Sequence, residues 1–445
     1  MNINLSQISE KFAGYDFDGA ARLTGFTKSC AQRITPFMFV SSFLISIGKE
    51  QFSLQDWANS LMSVFGVSTS KQSIDKRTSG QRHADFCEHL LKWSIEQSSG
   101  QCSDLAKRKD LFYAFNNALA QDSSCLALPL SCREDFPGAS SNKGKKCATA
   151  RVQLSINLLT DQPIDLLITN FRKNDQGDAG RIVPMLQPND LLIRDQGYFV
   201  IEAFQQITEQ EAYFLSRLRP DVKLFDPISM ERLDLLQICK QKKKRGIINF
   251  ELSTLIGVKQ KMATRLLIQQ VPQKVYQERR RKAIKDRHSG ANHKPEYLDL
   301  LQWQILITNA PVEKMTIKQA MQMYSLRWRI EVIFRCWKSE MKFDKRLSFP
   351  KSMKPARAKI IICLYLAYLT LFAFRSYLAI CQLVEQKHNV EISIIKWFQF
   401  VRNFSSAANS KNLTDEWIDH IARACAYDKR KRRNHKQEML AHSFG

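Results

Sequence analysis

The segment MYSLRWRIEVIFRCWKSEMKF, residues 323–343, holds the pattern from which the fold and the chemistry can be argued. Its polar members recur at spacings of three, four and seven residues: Tyr324, Arg327, Glu331 and Lys338. At about 100° per residue, these spacings place all four side chains on one stripe of a helix. The segment therefore predicts one helix carrying a phenol, a guanidinium, a carboxylate and an ammonium. The alternative is a solvated face with a weak Arg327–Glu331 ion pair.

Further carboxylates are needed if this stripe belongs to a phosphoryl-transfer site, because one carboxylate does not hold two divalent cations. Asp195 follows the apolar run Asp190–Ile193, where a strand is expected to meet a turn. Asp122 lies near the start of the strand-like region. Each of these also suits a turn or a helix cap. The competing aspartates are Asp161, Asp165, Asp175 and Asp178.

These motifs resemble, in their order along the chain, those of the DDE transposases of bacterial insertion sequences. Tyr324–Lys338 fits the Y-(2)-R-(3)-E-(6)-K signature of that family at all four positions. Asp122-Ser123-Ser124 is similar to the element with the first catalytic Asp, and Asp195-Gln196-Gly197-Tyr198 to the element with the second. Nearby, Phe136–Gly138 and Gly144-Lys145 also resemble the family.

Two residues depart from the family pattern. Ser124 stands where Thr is usual, which keeps the hydroxyl, and Gln196 stands where an Arg commonly follows the second Asp. Neither change removes a carboxylate. The interval of 136 residues between Asp195 and Glu331 is similar to that of members with a β-rich insertion before the catalytic Glu.

The resemblance implies an RNase H-like catalytic domain with two Mg²⁺ or Mn²⁺ ions. The implied catalytic metal ligands are Asp122, Asp195 and Glu331. The implied phosphate contacts are Tyr324, Arg327 and Lys338. Trp303 lies where a similar Trp stacks on a flipped base in relatives that make hairpin ends. The alternative for Trp303 is a core residue at the end of a strand.

The composition points to a polyanion as the partner. The chain has 445 residues with 67 basic and 43 acidic side chains, a formal net charge of +24. Nucleic acid is the first expectation and an anionic membrane the second. A hydrophobic fraction of 44% argues against a disordered basic tail.

Three features favour a cytoplasmic protein without a membrane span. The longest apolar run, Ile360–Phe374, has 15 residues before Arg375, whereas a span needs about 20, so we expect a buried helix there. The first residues show no apolar signal region. The eleven cysteines are scattered and form no C-x-x-C pair, which favours free thiols.

The predicted fold class is α/β, with four parts. Residues 1–110 are expected to form a helical DNA-binding domain; 111–218 and 305–382 the RNase H-like domain; 219–304 a β-rich basic insertion; and 383–445 a C-terminal helical basic region. In the first part, Leu54–Arg77 has the outline of a helix-turn-helix around Gly66, although an ordinary helical hairpin fits equally well. Its predicted DNA contacts are Lys71, Lys76 and Arg77.

The predicted strands fall into two groups, with a helix at Ile201–Glu211. Those of the catalytic part are Ala150–Thr160, Ile164–Phe171, Asp190–Val200 and Ala212–Leu218. Those of the insertion are Lys223–Leu224, Ile247–Leu252, Met262–Gln269 and Tyr297–Gln304.

The first functional hypothesis is a transposase that cleaves the ends of its own element and joins them to target DNA. Cut-and-paste with a hairpin intermediate is its expected route. Its expected partners are the double-stranded terminal inverted repeats, the target DNA and a second copy of the chain. A decayed or domesticated DNA-binding protein is the alternative, against which the complete carboxylate set argues. A nuclease without strand transfer is a third possibility that the sequence separates poorly.

Overall fold

The structure is a computed structural model that describes residues 4–28, 33–46, 52–99, 111–139, 146–259, 261–285, 294–340, 343, 353–403 and 414–427. The chain forms two compact units. The first comprises Met1–Lys107, Ser123–Lys173 and Arg329–Arg433, and the second comprises Arg108–Asp122, Asn174–Trp328 and Asn434–Gly445. The predicted Gly144-Lys145 element and the basic end of the chain, 429–433, lie outside the described residues. The predicted domain boundaries stay predictions.

Helices and strands alternate through the middle of the chain and helices dominate both ends. The helices are α1 (Leu5–Lys11), α2 (Phe17–Leu23), α3 (Pro36–Ser46), α4 (Leu54–Phe65), α5 (Lys71–Arg77), α6 (Gln81–Ser99), α7 (Asp175–Asp178), α8 (Ile201–Glu209), α9 (Leu235–Lys244), α10 (Gln273–Lys285), α11 (Pro295–Leu300), α12 (Ile317–Leu326), α13 (Trp328–Arg335), α14 (Pro355–Tyr368), α15 (Arg375–His388), α16 (Ile394–Asn403) and α17 (Asp415–Cys425). The strands are β1 (Ala118–Leu128), β2 (Ala148–Asn157), β3 (Gln162–Asn170), β4 (Leu191–Arg194), β5 (Tyr213–Arg217), β6 (Leu224–Phe225), β7 (Asn249–Ile256), β8 (Met262–Gln270) and β9 (Trp303–Thr308).

In the first unit, α4 and α5 lie where the sequence predicted two helices around a glycine turn. Ser53 caps α4 through the backbone N–H of Asp56, and the helix ends at Gly66, whose φ of 67° is left-handed. Ser70 caps α5. The helical hairpin is therefore present, and its role in DNA binding stays a prediction.

The first unit also contains the long apolar helix. It runs from α14 through a π-helical stretch, Leu369–Phe374, into α15, so that it spans 34 residues, Pro355–His388. The argument from length was wrong, because the helix continues past Arg375 and is long and apolar enough to cross a membrane. The prediction of a buried helix is confirmed, since 94% of its most apolar window is buried inside the protein.

The second unit is built on a mixed sheet with the strand order β1-β4-β5-β9-β8-β7-β6. β4 pairs in parallel with both β1 and β5, and the remaining neighbours are antiparallel. All four residues of β4 are buried, as expected for a central parallel strand. The strands of the predicted insertion thus extend this sheet through β9.

One predicted strand was wrong, and three elements, α9, α10 and β1, were not predicted. Tyr297–Gln304 was expected to be a strand, but Pro295 begins the helix α11 and the strand starts only at Trp303. The predicted insertion also contains α9 and α10, which carry its basic runs. The strand β1 was not predicted, because its centre, Gln121–Ser124, is polar.

Candidate active site

Asp122 and Asp195 lie at the same level of two neighbouring parallel strands in the second unit. Ala120 of β1 is paired with Ile193 of β4, and each aspartate follows its paired residue by two positions. Residues two apart on a strand face the same side of the sheet, and paired strands lie about 4.8 Å apart. The carboxylates of Asp122 and Asp195 are therefore presented together.

A tight turn fixes Asp195, as predicted from the end of its apolar run. Its Oδ1 accepts a hydrogen bond of 2.7 Å from the backbone N–H of Gly197, so that Asp195 caps the turn Gln196–Tyr198. A Cβ on Gly197 would lie 2.9 Å from that Oδ1 and 3.3 Å from Oδ2 of Asp175. A side chain at residue 197 would therefore press on the carboxylate of Asp195, and Asp175 places another carboxylate near Gly197.

Arg327 makes an ion pair with the first of these aspartates. Its Nη1 lies 3.1 Å from Oδ2 of Asp122, and both side chains are mostly buried. The guanidinium also lies 5.8 Å from the ring centroid of Tyr324, one helical turn earlier. Arg327 therefore contacts both a predicted carboxylate and a second member of the predicted stripe.

The pKa of Tyr324 depends on its burial and on the charges around this cluster. Burial raises the pKa of its phenol, the positive charges of Arg327 and Arg217 lower it, and the negative charge of Asp195 raises it. Arg217 ends β5, next to β4, and Arg194 of β4 is paired with Ser216 of β5. Arg217 therefore lies level with Asp195. The signal that could have revealed it is its position at the end of a strand parallel to β4.

Arg279 of α10 belongs to a basic run of the predicted insertion, but it was not among the predicted site residues. Its pKa is lowered to about 10, first by burial and then by the positive charge of Arg217. Its Nη2 donates to Oε1 of Gln304 at 2.6 Å and its Nη1 donates to the carbonyl of Trp303 at 3.3 Å. These contacts orient the guanidinium beside the start of β9.

A cavity of about 570 Å³ lies next to this cluster in the second unit. Its lining includes Gln196, Arg217, Tyr297 and Trp303. Trp303 is only 2% exposed and packs edge-on against Phe250, with 5.8 Å between ring centroids. This burial is what the core interpretation of Trp303 predicts, although the residue also forms part of the cavity wall.

The remaining predicted residues of the stripe belong to the first unit. Glu331 lies in the first turn of α13, and Lys338 donates from Nζ to the carbonyl of Cys125 at 2.7 Å. The expected single α-helix is corrected, since α12 ends at Leu326, α13 begins at Trp328, and a π-helical turn, Cys336–Glu340, follows α13. A π turn holds more residues than an α turn, so the spacing of about 3.6 residues behind the predicted stripe does not extend to Lys338.

Residues 114–366 match the family model described as a transposase DDE domain, which is more than half of the chain. The chain belongs to this transposase family. The transposase for insertion sequence element IS231F of Bacillus thuringiensis subsp. israelensis is 24% identical over 80% of this chain and 76% of its own length. The IS231B transposase of Bacillus thuringiensis subsp. berliner is 25% identical over 87% and 82%. The transposase of IS1151 from Clostridium perfringens is 25% identical over 63% and 62%.

A solved structure, the piggyBac transposase synaptic complex with hairpin DNA, aligns over 95% of this chain and 85% of that chain. Its TM-score of 0.43 and 9% identity are too low to support an argument about this transposase. The family match covers every predicted catalytic residue of the transposase, and the α5 residues Lys71, Lys76 and Arg77 precede it. Lys71 and Lys76 are exposed, whereas Arg77 is partly buried.

The three predicted carboxylates have the donor chemistry that hard divalent cations prefer. Asp122 and Asp195 supply two such carboxylates on adjacent strands, and Glu331 belongs to the other unit. Within the described part of the chain, no group of three His, Cys, Asp or Glu side chains is arranged to hold a metal ion. In this structure a guanidinium, that of Arg327, accompanies the carboxylate of Asp122.

Proposed function

We propose that this transposase cleaves DNA at the ends of its own insertion sequence and joins those ends to target DNA with Asp122, Asp195 and Glu331 as its catalytic residues. The observation that carries the proposal is the level placement of Asp122 and Asp195 on parallel strands. An RNase H-like catalytic domain is part of the proposal. The parallel set β1-β4-β5 supports it.

The three carboxylates would hold two Mg²⁺ or Mn²⁺ ions. Such a pair supplies a more acidic bound water or 3′-hydroxyl for in-line attack and stabilises the charge on the departing oxygen. Carboxylate oxygens suit these cations, and no histidine or cysteine is required.

The basic and phenolic side chains would hold the DNA backbone. The positive charges of Arg327 and Lys338 would attract phosphate groups, and Tyr324 can donate a hydrogen bond to them. Arg217 and Arg279 lie beside Tyr324 and repel one another, so a phosphate between them would relieve that repulsion. On binding DNA, Arg327 would exchange part of its contact with Asp122 for a phosphate.

Cut-and-paste transposition through a hairpin is the proposed route, with Trp303 beside the extruded base. The cavity wall supports this role, and the 2% exposure of Trp303 means that its indole face must first be uncovered. Denaturing gels of cleaved ends test it. Trp303→Ala is expected to abolish hairpin ends and Trp303→Phe to retain some, because a phenyl ring still stacks. Hairpins in Trp303→Ala, or none in the wild type, contradict this route.

The helical hairpin α4–α5 would recognise the terminal repeat, and a second copy of the chain would hold the other end. Lys71 and Lys76 are available to DNA because they are exposed. Replacing both with alanine is expected to weaken binding to the element end more than binding to random DNA. Equal losses for both DNAs would contradict recognition by α5.

The decisive experiment is cleavage of a labelled cognate end with Mg²⁺, followed by joining to a target plasmid. Asp122→Asn, Asp195→Asn and Glu331→Gln are expected to bind the end and leave it uncut. Asp165→Asn, a competing aspartate, is the matched control and is expected to cleave. Normal cleavage by any of the three variants contradicts its assignment. A wild type that binds but never cleaves is a DNA-binding protein, and one that cleaves but never joins is a nuclease.

A further inference from the structure

Two buried polar residues lie directly behind the predicted carboxylates of the second unit. Because Ala120 of β1 is paired with Ile193 of β4, the next residues, Gln121 and Arg194, are level with one another. Successive residues of a strand point to opposite faces, so these two side chains lie on the face of the sheet that the carboxylates do not occupy. Both side chains are fully buried. Buried parallel strands are usually apolar on both faces, so this polar pair calls for a structural reason.

The carboxylate of Asp178, at the end of α7, joins the two strands on this face. Its Oδ2 accepts a hydrogen bond of 3.0 Å from Nε2 of Gln121. The carbonyl of the next residue, Ala179, accepts one of 2.6 Å from Nη2 of Arg194. Arg181 holds the carboxylate from the other side, because its Nε and Nη2 donate to Asp178 at 2.7 and 3.0 Å. We call Gln121, Asp178, Ala179, Arg181 and Arg194 the polar bridge.

The charge of Asp178 compensates the buried guanidinium of Arg194. The carboxylate is itself fully buried and lies within electrostatic range of that guanidinium. Among the described residues, Nε and Nη1 of Arg194 and Oε1 of Gln121 have no hydrogen-bond partner. A buried charge that loses its counter-charge is strongly unfavourable. Neutralising Asp178 would therefore loosen the polar bridge at β4 as well as at β1.

The segment around α7 also reaches the turn that follows Asp195. The first residue of α7, Asp175, has its Oδ2 3.3 Å from the place of a Cβ on Gly197. The ring centroid of Tyr198, in the same turn, lies 5.8 Å from the guanidinium carbon of Arg194. The end of β4 and the turn that fixes Asp195 are thus held by one group of contacts.

We propose that Asp178 is a positioning residue that sets the separation of Asp122 and Asp195 through the polar bridge. Two carboxylates repel one another when no cation lies between them, and their strands must resist this repulsion if a metal ion is to enter a preformed site. The polar bridge joins those strands one residue before the carboxylates. The proposal rests on the proposed function, because it needs both carboxylates as metal ligands. It gives one of the competing aspartates a role without contact to metal or DNA.

The opposite end of the same two strands provides a matched control. Asp190, directly before β4, is 2% exposed, and its Oδ1 accepts a hydrogen bond of 2.8 Å from Nδ2 of Asn117, directly before β1. This bond also joins the two strands, but at the end remote from the predicted carboxylates. Asp178→Asn and Asp190→Asn therefore remove the same buried charge from the same kind of bond at opposite ends of β4.

The experiment measures binding of Mn²⁺ to the full chain on a pre-cleaved cognate end, from the electron paramagnetic resonance signal of the free ion. Asp178→Asn is expected to raise the Kd for Mn²⁺ about tenfold, as removal of an outer support of a metal site commonly does. Asp190→Asn is expected to leave this Kd unchanged, although both variants lower the melting temperature. The Mg²⁺ concentration for half-maximal single-turnover cleavage should rise only with Asp178→Asn.

A second variant tests the polar bridge even if Asp178→Asn does not fold. Gln121→Met keeps the volume of the side chain and removes its hydrogen bond to Asp178, so it is expected to raise the Kd for Mn²⁺ in the same direction. A folded Asp178→Asn or Gln121→Met with the Kd of the wild type contradicts the positioning role. An equal rise with Asp190→Asn contradicts it too, because the effect would then follow stability alone.

The catalytic variants separate this proposal from the proposed function. If Asp122→Asn and Asp195→Asn bind Mn²⁺ as the wild type does, these carboxylates are not metal ligands, and both proposals fail. If these two variants lose Mn²⁺ while Asp178→Asn keeps it, the proposed function stands and the positioning role alone fails.

Discussion

Arg327 holds the carboxylate of Asp122 with a planar guanidinium and reaches the ring of Tyr324 at the same time. A lysine keeps the charge but loses the fork geometry and the ring contact. We therefore expect Arg327→Lys to slow single-turnover cleavage on the order of tenfold or more while end binding changes less. The exposed Arg335 of α13 gives the control, Arg335→Lys, which should cleave normally. Equal rates for the two variants would contradict this role.

His83 of α6 makes the first unit sensitive to acid. The residue is 4% exposed, and its pKa is lowered to about 4, first by burial and then by the positive charges of Arg82 and Arg77. Above the pKa of about 6.5 that histidine has in an unfolded chain, His83 is neutral in both the folded and the unfolded protein. Between that pH and about 4, only the unfolded state binds the proton, so the free energy of unfolding falls, by up to about 3 kcal/mol.

Replacing this residue, His83→Gln, is expected to flatten the dependence of the melting temperature on pH between about 4 and 6.5. Thermal unfolding followed by circular dichroism at a series of pH values measures it. Curves that stay parallel to those of the wild type would show that His83 does not set this dependence.

At the scale of the element, local signals were readable from the sequence and pairing partners were not. Gly66 and the capping residue Ser70 are signals within a few residues, which is why α4 and α5 could be predicted. The apolar run before Asp195 likewise revealed β4. By contrast, β1 has a polar centre, and the pairing of its residues Ala118–Ala120 with β4 could not be read from the sequence, although strand propensity depends on such neighbours.

In the candidate site, too, local spacing could be read from the sequence and the pairing of strands could not. Spacing placed Tyr324 and Arg327 on one predicted stripe, and the structure brings Arg327 to Asp122 and Tyr324 within the electrostatic influence of Asp195. The spacing could not reveal Arg217, because its position level with Asp195 comes from the parallel pairing of β5 with β4. Nor could a fixed period of about 3.6 residues anticipate the π turn at Lys338.

The buried ion pair between Arg329 and Asp161 ties α13, and with it Glu331, to the turn between β2 and β3. The side chains are 10% and 2% exposed. Removing one partner leaves a buried charge, which costs about 3–5 kcal/mol. Asp161→Asn and Arg329→Gln are each expected to lower the melting temperature, while the double variant recovers part of the loss. A double variant whose loss equals the sum of the single losses would show that the pair is uncoupled.

Across the whole molecule, the basic excess is unevenly distributed along the chain. Residues 1–220 contain 24 basic and 23 acidic side chains, whereas 221–304 contain 18 and 9. The predicted recognition helix α5 therefore belongs to a nearly neutral segment, and α10 belongs to a basic one. Contacts to phosphate supply affinity without sequence information, so these two segments should affect binding in different ways.

The exposed residues Arg280 and Arg281 of α10 give the sharpest test of this division. Replacing both with glutamine is expected to weaken binding to cognate DNA and to random DNA by the same factor. The slope of log K against log salt should fall by about 2, because each lost phosphate contact removes about one released counterion. The control is the double variant Lys71→Gln with Lys76→Gln, which should weaken binding to cognate DNA more than binding to random DNA. A larger loss for cognate than for random DNA with the α10 variant would place sequence recognition on α10, because non-specific phosphate contact cannot distinguish the two.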